Sequence, residues 1–188
     1  MEVTRRRAVA LLTAGVSAAV GLLPATGKAQ RADVWTLKLA FVEKIASFLE
    51  WPQDADLTQA ESPLFLTFYG DTPMEERARD VYAHRRFGSH AVVVRSVHHP
   101  WEIRSSHVLY ISASSVAELA SILRWVGDMP VLTVADSPGM ARRGVAVNLY
   151  EEEDRIRFEI NRRALHRARI RASFRLLALA RIVDEGEP

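Results

Sequence analysis

Two aspartates, Asp71 and Asp136, are the carboxylates whose positions in this 188-residue sequence favour a binding site. Each follows a short apolar run typical of a buried strand, Leu64–Tyr69 in the first case and residues 131–135 in the second. If those strands are parallel, both carboxylates lie at the carboxyl end of the sheet, where open α/β sheets commonly bind ligands. We therefore expect a crevice for a small molecule at that edge. The alternative is that each aspartate only caps a helix or fixes a turn.

Known catalytic signatures are missing from the sequence, which has no GxSxG elbow, P-loop, GxGxxG or HExxH motif. It also has no cysteine, which excludes disulfides, thiol catalysis and cysteine-ligated metal centres. His98 and His99 are adjacent, so on a strand they would point to opposite faces and would not form one metal site. His107 opens an apolar run and is typical of a structural histidine. The sequence therefore predicts a protein that is not an enzyme and needs no metal or cofactor.

The N-terminal residues have the order of an export signal. Three arginines at positions 5–7 precede a weakly apolar run at 8–23, and the small residues Gly27 and Ala29 follow. We predict cleavage after Ala29 and a periplasmic location, and the residues at 4–9 are similar to a twin-arginine signal. The alternative is a retained N-terminal anchor helix. Cleavage removes four basic residues and one acidic residue, so the net charge of +2 changes sign and gives no support for a nucleic-acid partner.

Four arginines recur at every fourth position near the C-terminal end of the chain. They are Arg163, Arg167, Arg171 and Arg175. On one continuous helix they would form a single basic stripe, whose counterpart in an exported protein would be an acidic protein face or anionic lipid. The alternative is a face that is only solvated.

The first predicted helix of the expected domain spans residues 33–50 and ends before Pro52, which pushes the preceding residue out of the helical region. Its periodic apolar positions are Leu37, Phe41, Ile45, Phe48 and Leu49. Lys38 falls outside that face. Glu50 and Trp51 lie at the helix-to-loop corner, where a large aromatic residue can anchor an interface, so we include both as candidate contacts. The alternative for Trp51 is packing at the rim of the core.

Strand and helix patterns alternate along the rest of the chain. Strands are predicted at 64–69, 91–95, 108–112, 131–135, 145–149 and 155–160; helices are predicted from Pro73, from a capping box at 115–118, from Asn161 and at 173–183. This alternation predicts a single α/β domain over residues 30–188. We expect an open, mostly parallel sheet with helices on both faces and a C-terminal antiparallel hairpin.

Six segments in order along the chain carry a resemblance to a known family. They are residues 41–52 with Trp51-Pro52 at their end, 68–73, 107–112, 131–136, the turn region from Gly139 through Gly144 to 149, and 155–161. The chain resembles the YfiR family, exported α/β proteins named for a periplasmic repressor of a membrane-bound diguanylate cyclase. Arg169 stands near a position where relatives often have a small residue, which predicts a more basic and more helical segment at 162–175.

The resemblance implies a non-enzymatic regulator. Such a protein represses an inner-membrane diguanylate cyclase through protein-protein contact and lowers cyclic di-GMP signalling, and an outer-membrane or envelope protein relieves the repression. The resemblance also implies a homodimer. Repression requires different affinities for the two states of the cyclase, because equal affinity shifts no equilibrium. The alternative is a periplasmic sensor that binds a small molecule in the crevice near the two aspartates.

Overall fold

A seven-stranded sheet forms the centre of the computed structural model, which describes residues 26–57 and 62–183. The strands are β1 (Leu49–Glu50), β2 (Leu64–Tyr69), β3 (Val92–Val97), β4 (Val108–Ile111), β5 (Leu132–Ala135), β6 (Val147–Glu152), β7 (Arg155–Asn161), β8 (Arg171–Ala172) and β9 (Arg181–Val183). The helices are α1 (Thr26–Ala46), α2 (Pro73–Tyr82), α3 (Leu119–Val126), α4 (Arg162–Arg167) and α5 (Phe174–Leu179). Short 3-10 helices cover Gln53–Ala55, Pro100–Ile103 and Ala113–Glu118.

The strand order of the main sheet is β3-β2-β4-β5-β6-β7-β9. Every neighbouring pair is parallel except the β6–β7 hairpin, and β1 pairs with β8 in a separate antiparallel pair. The predicted open, mostly parallel sheet with a C-terminal hairpin is confirmed. The strand order reverses between β2 and β4, which makes the carboxyl ends of these two strands a switch point of the topology.

Two apolar clusters cover the two faces of the sheet. Central strands β2, β4 and β5 are almost wholly buried, as continuous apolar runs in a parallel sheet must be. One cluster joins Phe68, Tyr110 and Val134 to residues of α1, α2, α4 and α5. The other joins Leu109 and Ile111 to α3 and the 3-10 helix at Pro100–Ile103. Helices therefore lie on both faces, as predicted.

The first helix differs from its prediction at its end and on its buried face. α1 ends at Ala46 instead of reaching Glu50, because residues 49–50 pair with β8. Lys38 is buried while Leu37 is 47% exposed, since Lys38 forms an ion pair inside the fold. Most of the predicted signal at 1–29 lies outside the described residues. Within the described ranges, no helix combines the length and apolar character needed to cross a membrane.

The C-terminal segment is broken into short elements. Helices begin after Asn161 and after Ser173 as predicted, but they end at Arg167 and Leu179, so their predicted lengths were wrong. Asn161 caps α4 by accepting a hydrogen bond from Ala164 N at 2.9 Å, and α4 ends at Arg167. Arg169 then adopts φ +57°, a left-handed conformation that stops a helix, so the expectation of a more helical segment also fails. Residues 181–183 leave the helix and pair with β7 as strand β9.

The predicted capping box at 115–118 was also wrong, because its side chains serve the end of β2 instead. Ser115 Oγ donates to Tyr69 O at 3.4 Å, and Glu118 accepts a hydrogen bond from the Tyr69 hydroxyl at 2.8 Å. Burial and this carboxylate raise the pKa of Tyr69 to about 12. Gly70 follows with φ +76°, and a Cβ there would overlap the hydroxyls of Ser112 and Ser115. The switch point is therefore tightly packed.

Candidate functional site

The pairing of β1 with β8 brings two of the predicted contact regions together. Glu50 lies directly opposite Arg171, and Arg171 Nη2 donates to Glu50 Oε2 at 2.7 Å. Both side chains are largely exposed, at 69% and 83%. Trp51 follows Glu50 and is half-buried. Glu50 and Trp51 thus lie beside the basic C-terminal segment, a proximity that the sequence pattern did not predict.

The predicted arginine stripe does not form, because no single helix carries all four residues. Arg163 and Arg167 belong to α4, Arg171 to β8 and Arg175 to α5. The fold nevertheless places the first three around one shallow cavity of about 620 Å³. We call the exposed residues Arg162, Arg163, Arg167 and Arg171 of this cavity the basic surface. Arg175 does not line it.

Trp51 lines a cavity of about 710 Å³. Leu57, Leu64 and Phe87 supply apolar walls. The Trp51 Nε1 donor is buried without a hydrogen-bond partner in the described part of the chain. Trp51 therefore packs at the rim of the core cluster and also lines a cavity, so neither of the two alternatives for it is excluded.

Asp71 stands exposed at the switch point. Its Oδ1 lies 3.5 Å from Nε2 of His98, and its side chain is 95% exposed. The cap of α2 is Thr72, whose Oγ1 accepts a hydrogen bond from Met74 N at 3.3 Å. Thr72, and not Asp71, therefore caps α2.

Asp136 lies in a different environment. Lys38 Nζ donates to Asp136 Oδ2 at 2.9 Å, and the two side chains are only 11% and 12% exposed. Tyr110 lies in the same buried region, and burial together with the Asp136 carboxylate raises the pKa of its phenol. The two aspartates end strands that are separated by β4, so the fold gives them separate surroundings.

The histidines have structural contacts. His107 is buried: its Nδ1 accepts a hydrogen bond from Phe65 N at 2.9 Å, and its Nε2 lies 2.9 Å from Ala55 O. His98 and His99 donate their backbone N–H groups to Glu102 Oε2 at 3.1 and 2.9 Å, which lowers the pKa of that carboxyl. Within residues 26–57 and 62–183, no group of three histidine, aspartate or glutamate side chains is placed to hold a metal ion.

Comparison with known proteins connects this fold to one family. A family model described as YfiR/HmsC-like matches residues 36–181, which is most of the chain. The chain belongs to the YfiR/HmsC-like family. The match begins within α1 and ends at the first residue of β9, so it takes in strands β2 to β7 of the main sheet and the β1–β8 pair.

One solved structure gives a fold comparison. It is described as a conserved domain protein from Vibrio cholerae O1 biovar El Tor, with a TM-score of 0.50 and 11% sequence identity. The alignment covers 80% of this chain and 60% of that chain, so the resemblance supports the fold alone. No curated protein matches the sequence of this YfiR/HmsC-like chain significantly.

Three buried polar residues of this YfiR/HmsC-like domain were not predicted as site residues. Lys38, Asn148 and Glu159 are all at most 9% exposed and line one cavity of about 370 Å³ together with Asp136. Asn148 interrupts the apolar run of β6, which is the sequence signal that could have identified it, whereas Glu159 continues the polar side of the alternating pattern of β7 and carries no such signal. Lys38 carries no such signal, because a lysine on an amphipathic helix normally faces water.

Proposed function

We propose that this protein is a periplasmic regulator that represses a membrane-bound diguanylate cyclase by protein-protein contact. The observation that carries the proposal is the YfiR/HmsC-like match over residues 36–181, since the family is named for such a repressor. Repression then means that the protein binds the inactive state of the cyclase more tightly than the active state. Cyclic di-GMP in the cytoplasm falls as a result.

The basic surface is our candidate for the cyclase contact. Its arginines are exposed. Glu50, the neighbour of Trp51, pairs with Arg171, and the 85% exposed Phe174 lies three positions after Arg171. Arginine and large aromatic side chains are enriched among the residues that dominate binding energy at interfaces. Clustered positive charge also accelerates association with an acidic partner. These features support a protein partner of acidic character.

The direct test is capture of the partner in cells. The protein is crosslinked in the living cell and purified, and the attached proteins are identified, while cyclic di-GMP is measured in strains with and without the gene. We expect a membrane diguanylate cyclase in the captured fraction and a rise of the nucleotide on deletion. Capture of no cyclase, together with an unchanged nucleotide level, contradicts the regulator.

Charge reversal locates the contact. The double variant Arg163→Glu with Arg171→Glu changes two exposed side chains of the basic surface, so it should fold and fail to repress. The matched control is Arg124→Glu, an exposed arginine on α3, which packs on the other face of the sheet. The control should repress normally. Equal repression by the double variant and the control would exclude this surface as the contact.

Three further properties belong to the same proposal: cleavage after Ala29 leaves residues 30–188 in the periplasm, the mature protein is a homodimer, and an outer-membrane or envelope protein relieves repression. Mass spectrometry of the periplasmic fraction tests the cleavage position. Sedimentation equilibrium tests the dimer, because the average mass of a reversible dimer rises with concentration.

A small-molecule sensor is the second candidate function. It is favoured by the 710 Å³ cavity beside Trp51, whose volume lies in the range of ligand pockets, about 300–1,000 Å³. The ion pair between Glu43 and Arg85, with 3.2 Å between Oε2 and Nη2, contributes polar groups to the lining. A sensor predicts that a low-molecular-weight extract of the cell envelope raises the melting temperature of the purified protein, because a ligand that binds only the folded state stabilises it.

A further inference from the structure

A notch opens where β5 ends and β6 continues. β5 stops at Ala135 and pairs with β6 only at Val147 and Asn148, whereas β6 runs on to Glu152. The space beyond the end of β5 is the cavity of about 370 Å³. We call the polar residues that line it, Lys38, Asp136, Asn148, Glu151 and Glu159, the polar notch. It therefore lies at the carboxyl end of a parallel strand, where α/β sheets commonly bind ligands.

Burial in the notch is costly to the fold. Lys38 and Glu159 are 9% and 8% exposed, and an ionised side chain taken out of water must be compensated by partners. Asn148 is 1% exposed and uses its Nδ2 on Glu159 Oε2 at 3.4 Å, but its Oδ1 has no hydrogen-bond partner among the described residues. An unpaired buried acceptor costs about 1–3 kcal/mol.

An anchoring role for α1 accounts for only part of the notch. The pair of Lys38 with Asp136 fixes α1 against the end of β5. It does not explain why Asn148 interrupts the apolar run of β6 beside the buried Glu159 and keeps an acceptor without a partner among the described residues. A group that supplies a hydrogen-bond donor to Asn148 Oδ1 completes the arrangement.

The charges of the notch select a neutral ligand. Asp136, Glu151 and Glu159 would repel a carboxylate or phosphate. The two buried carboxylates already have counter-charges, Lys38 on Asp136 and Arg181 on Glu159, with 3.7 Å between Arg181 Nη1 and Glu159 Oε1, so neither needs a cation from a ligand. Lys38 Nζ has three N–H donors, and among the described residues one of them is donated to Asp136, while Glu151 Oε1 lies 3.7 Å away and the centre of the Trp35 ring 4.7 Å away. The notch therefore offers a donor as well as several acceptors.

We propose that the polar notch binds a small neutral polyhydroxy compound of monosaccharide size. A hydroxyl group donates and accepts at once, so adjacent hydroxyls can donate to Asn148 Oδ1 and the carboxylates and accept from Lys38. Leu149 and the ring of Tyr150 add apolar surface to the same lining for the carbon face of such a molecule. This inference does not depend on the regulator proposal, because it concerns the isolated protein.

The test is calorimetric titration of the purified full chain. The probes are glucose, galactose, N-acetylglucosamine and inositol, and the comparison compounds are glutamate, ethanolamine and a neutral dipeptide amide. We expect saturable binding of at least one of the four polyhydroxy probes and none of the comparison compounds. Absence of binding by all four probes at millimolar concentration overturns the proposal, and so does binding confined to the comparison compounds.

Variants connect binding to the notch. Asp136→Asn and Glu151→Gln should each weaken binding roughly tenfold, the equivalent of one hydrogen bond to a charged partner. Glu151 is 60% exposed, so its variant remains folded even if the buried Asp136→Asn does not. The control Glu76→Gln changes an exposed carboxylate on α2 and should bind as the wild type does. Unchanged affinity in Glu151→Gln and in every folded notch variant overturns the assignment to this cavity.

Discussion

Lys38 forms a buried ion pair with Asp136, so its replacement should lower the stability of the fold. Lys38→Met leaves the Asp136 carboxylate buried without its counter-charge, so we expect the free energy of unfolding to fall by about 3 kcal/mol. The measurement is urea unfolding. Lys44→Met, an exposed lysine on the same helix, is the control and should cost less than about 1 kcal/mol. Similar losses of unfolding free energy in the two variants would mean that the ion pair of Lys38 with Asp136 contributes no more than a solvent-exposed ion pair.

His107 holds the loop after β1 against the sheet in one protonation state only. Nδ1 accepts the Phe65 N–H, so it must be unprotonated, and Nε2 carries the proton that is donated to Ala55 O. Burial is the main cause that lowers the pKa of His107 below the ordinary value. A second proton would remove the acceptor that Phe65 uses.

This arrangement predicts a pH-dependent stability. Because the folded pKa is depressed, the unfolded chain binds the proton first as pH falls below about 6.5. Stability is therefore greatest above that pH and decreases as pH falls toward the folded pKa. Urea unfolding measured from about pH 8 to pH 5 should show the decrease, and His107→Asn, which keeps an acceptor for Phe65, should reduce it. An equal pH dependence in the variant would assign the effect to other groups.

At the scale of elements, the turn after β2 depends on glycine for two separate reasons. Gly70→Ala should destabilise by about 1–3 kcal/mol through its positive φ, and the overlap with Ser112 and Ser115 adds to that loss. Gly88→Ala is the matched control, because Gly88 has φ +60° but no atom within 4 Å of a Cβ. The difference between the two variants in thermal or urea unfolding isolates the overlap. Equal losses would show that the serines move aside at no cost.

The elements that the sequence predicted well are those determined by local pattern. Strands β2, β4 and β5 were found because buried strands have few polar positions. The β6–β7 hairpin was found because an acidic run at 151–154 separates two strand patterns, the second of which alternates. The end of α1 and the ends of the two helices within 162–183 were not, because β1, β8 and β9 each have three residues or fewer and form only through distant partners. In these segments the local helical pattern is overridden by strand pairing with residues far away in the sequence.

In the candidate site too, positions set by local sequence pattern could be predicted, whereas contacts between distant residues could not. Asp136 was found because it follows a strand, but its partner Lys38 was not, since a pair separated by 98 positions has no local signature. Glu50 and Trp51 were predicted at the end of the first helix, but that helix ends at Ala46 and Glu50 belongs to β1. Their contact with Arg171 depends on the β1–β8 register and could not be read from the sequence.

At the scale of the whole molecule, the basic surface predicts salt-dependent partner binding. Exposed arginines attract an acidic face over about 10 Å in 0.1 M salt, and this attraction weakens as salt increases. Capture of the cyclase by the purified protein should therefore decrease with added salt. Arg163→Glu with Arg171→Glu should remove most of both the binding and its salt dependence, whereas Arg124→Glu should preserve them. Salt-independent capture would indicate an apolar contact elsewhere.

The β1–β8 pair also has a consequence for folding kinetics. Glu50 and Arg171 are 121 positions apart, so the intervening chain must be largely ordered before they meet. Contacts of this kind form after the rate-limiting step, and weakening them changes the unfolding rate more than the folding rate. The β1–β8 pair is therefore expected to have little effect on the folding rate and to lengthen the lifetime of the folded domain.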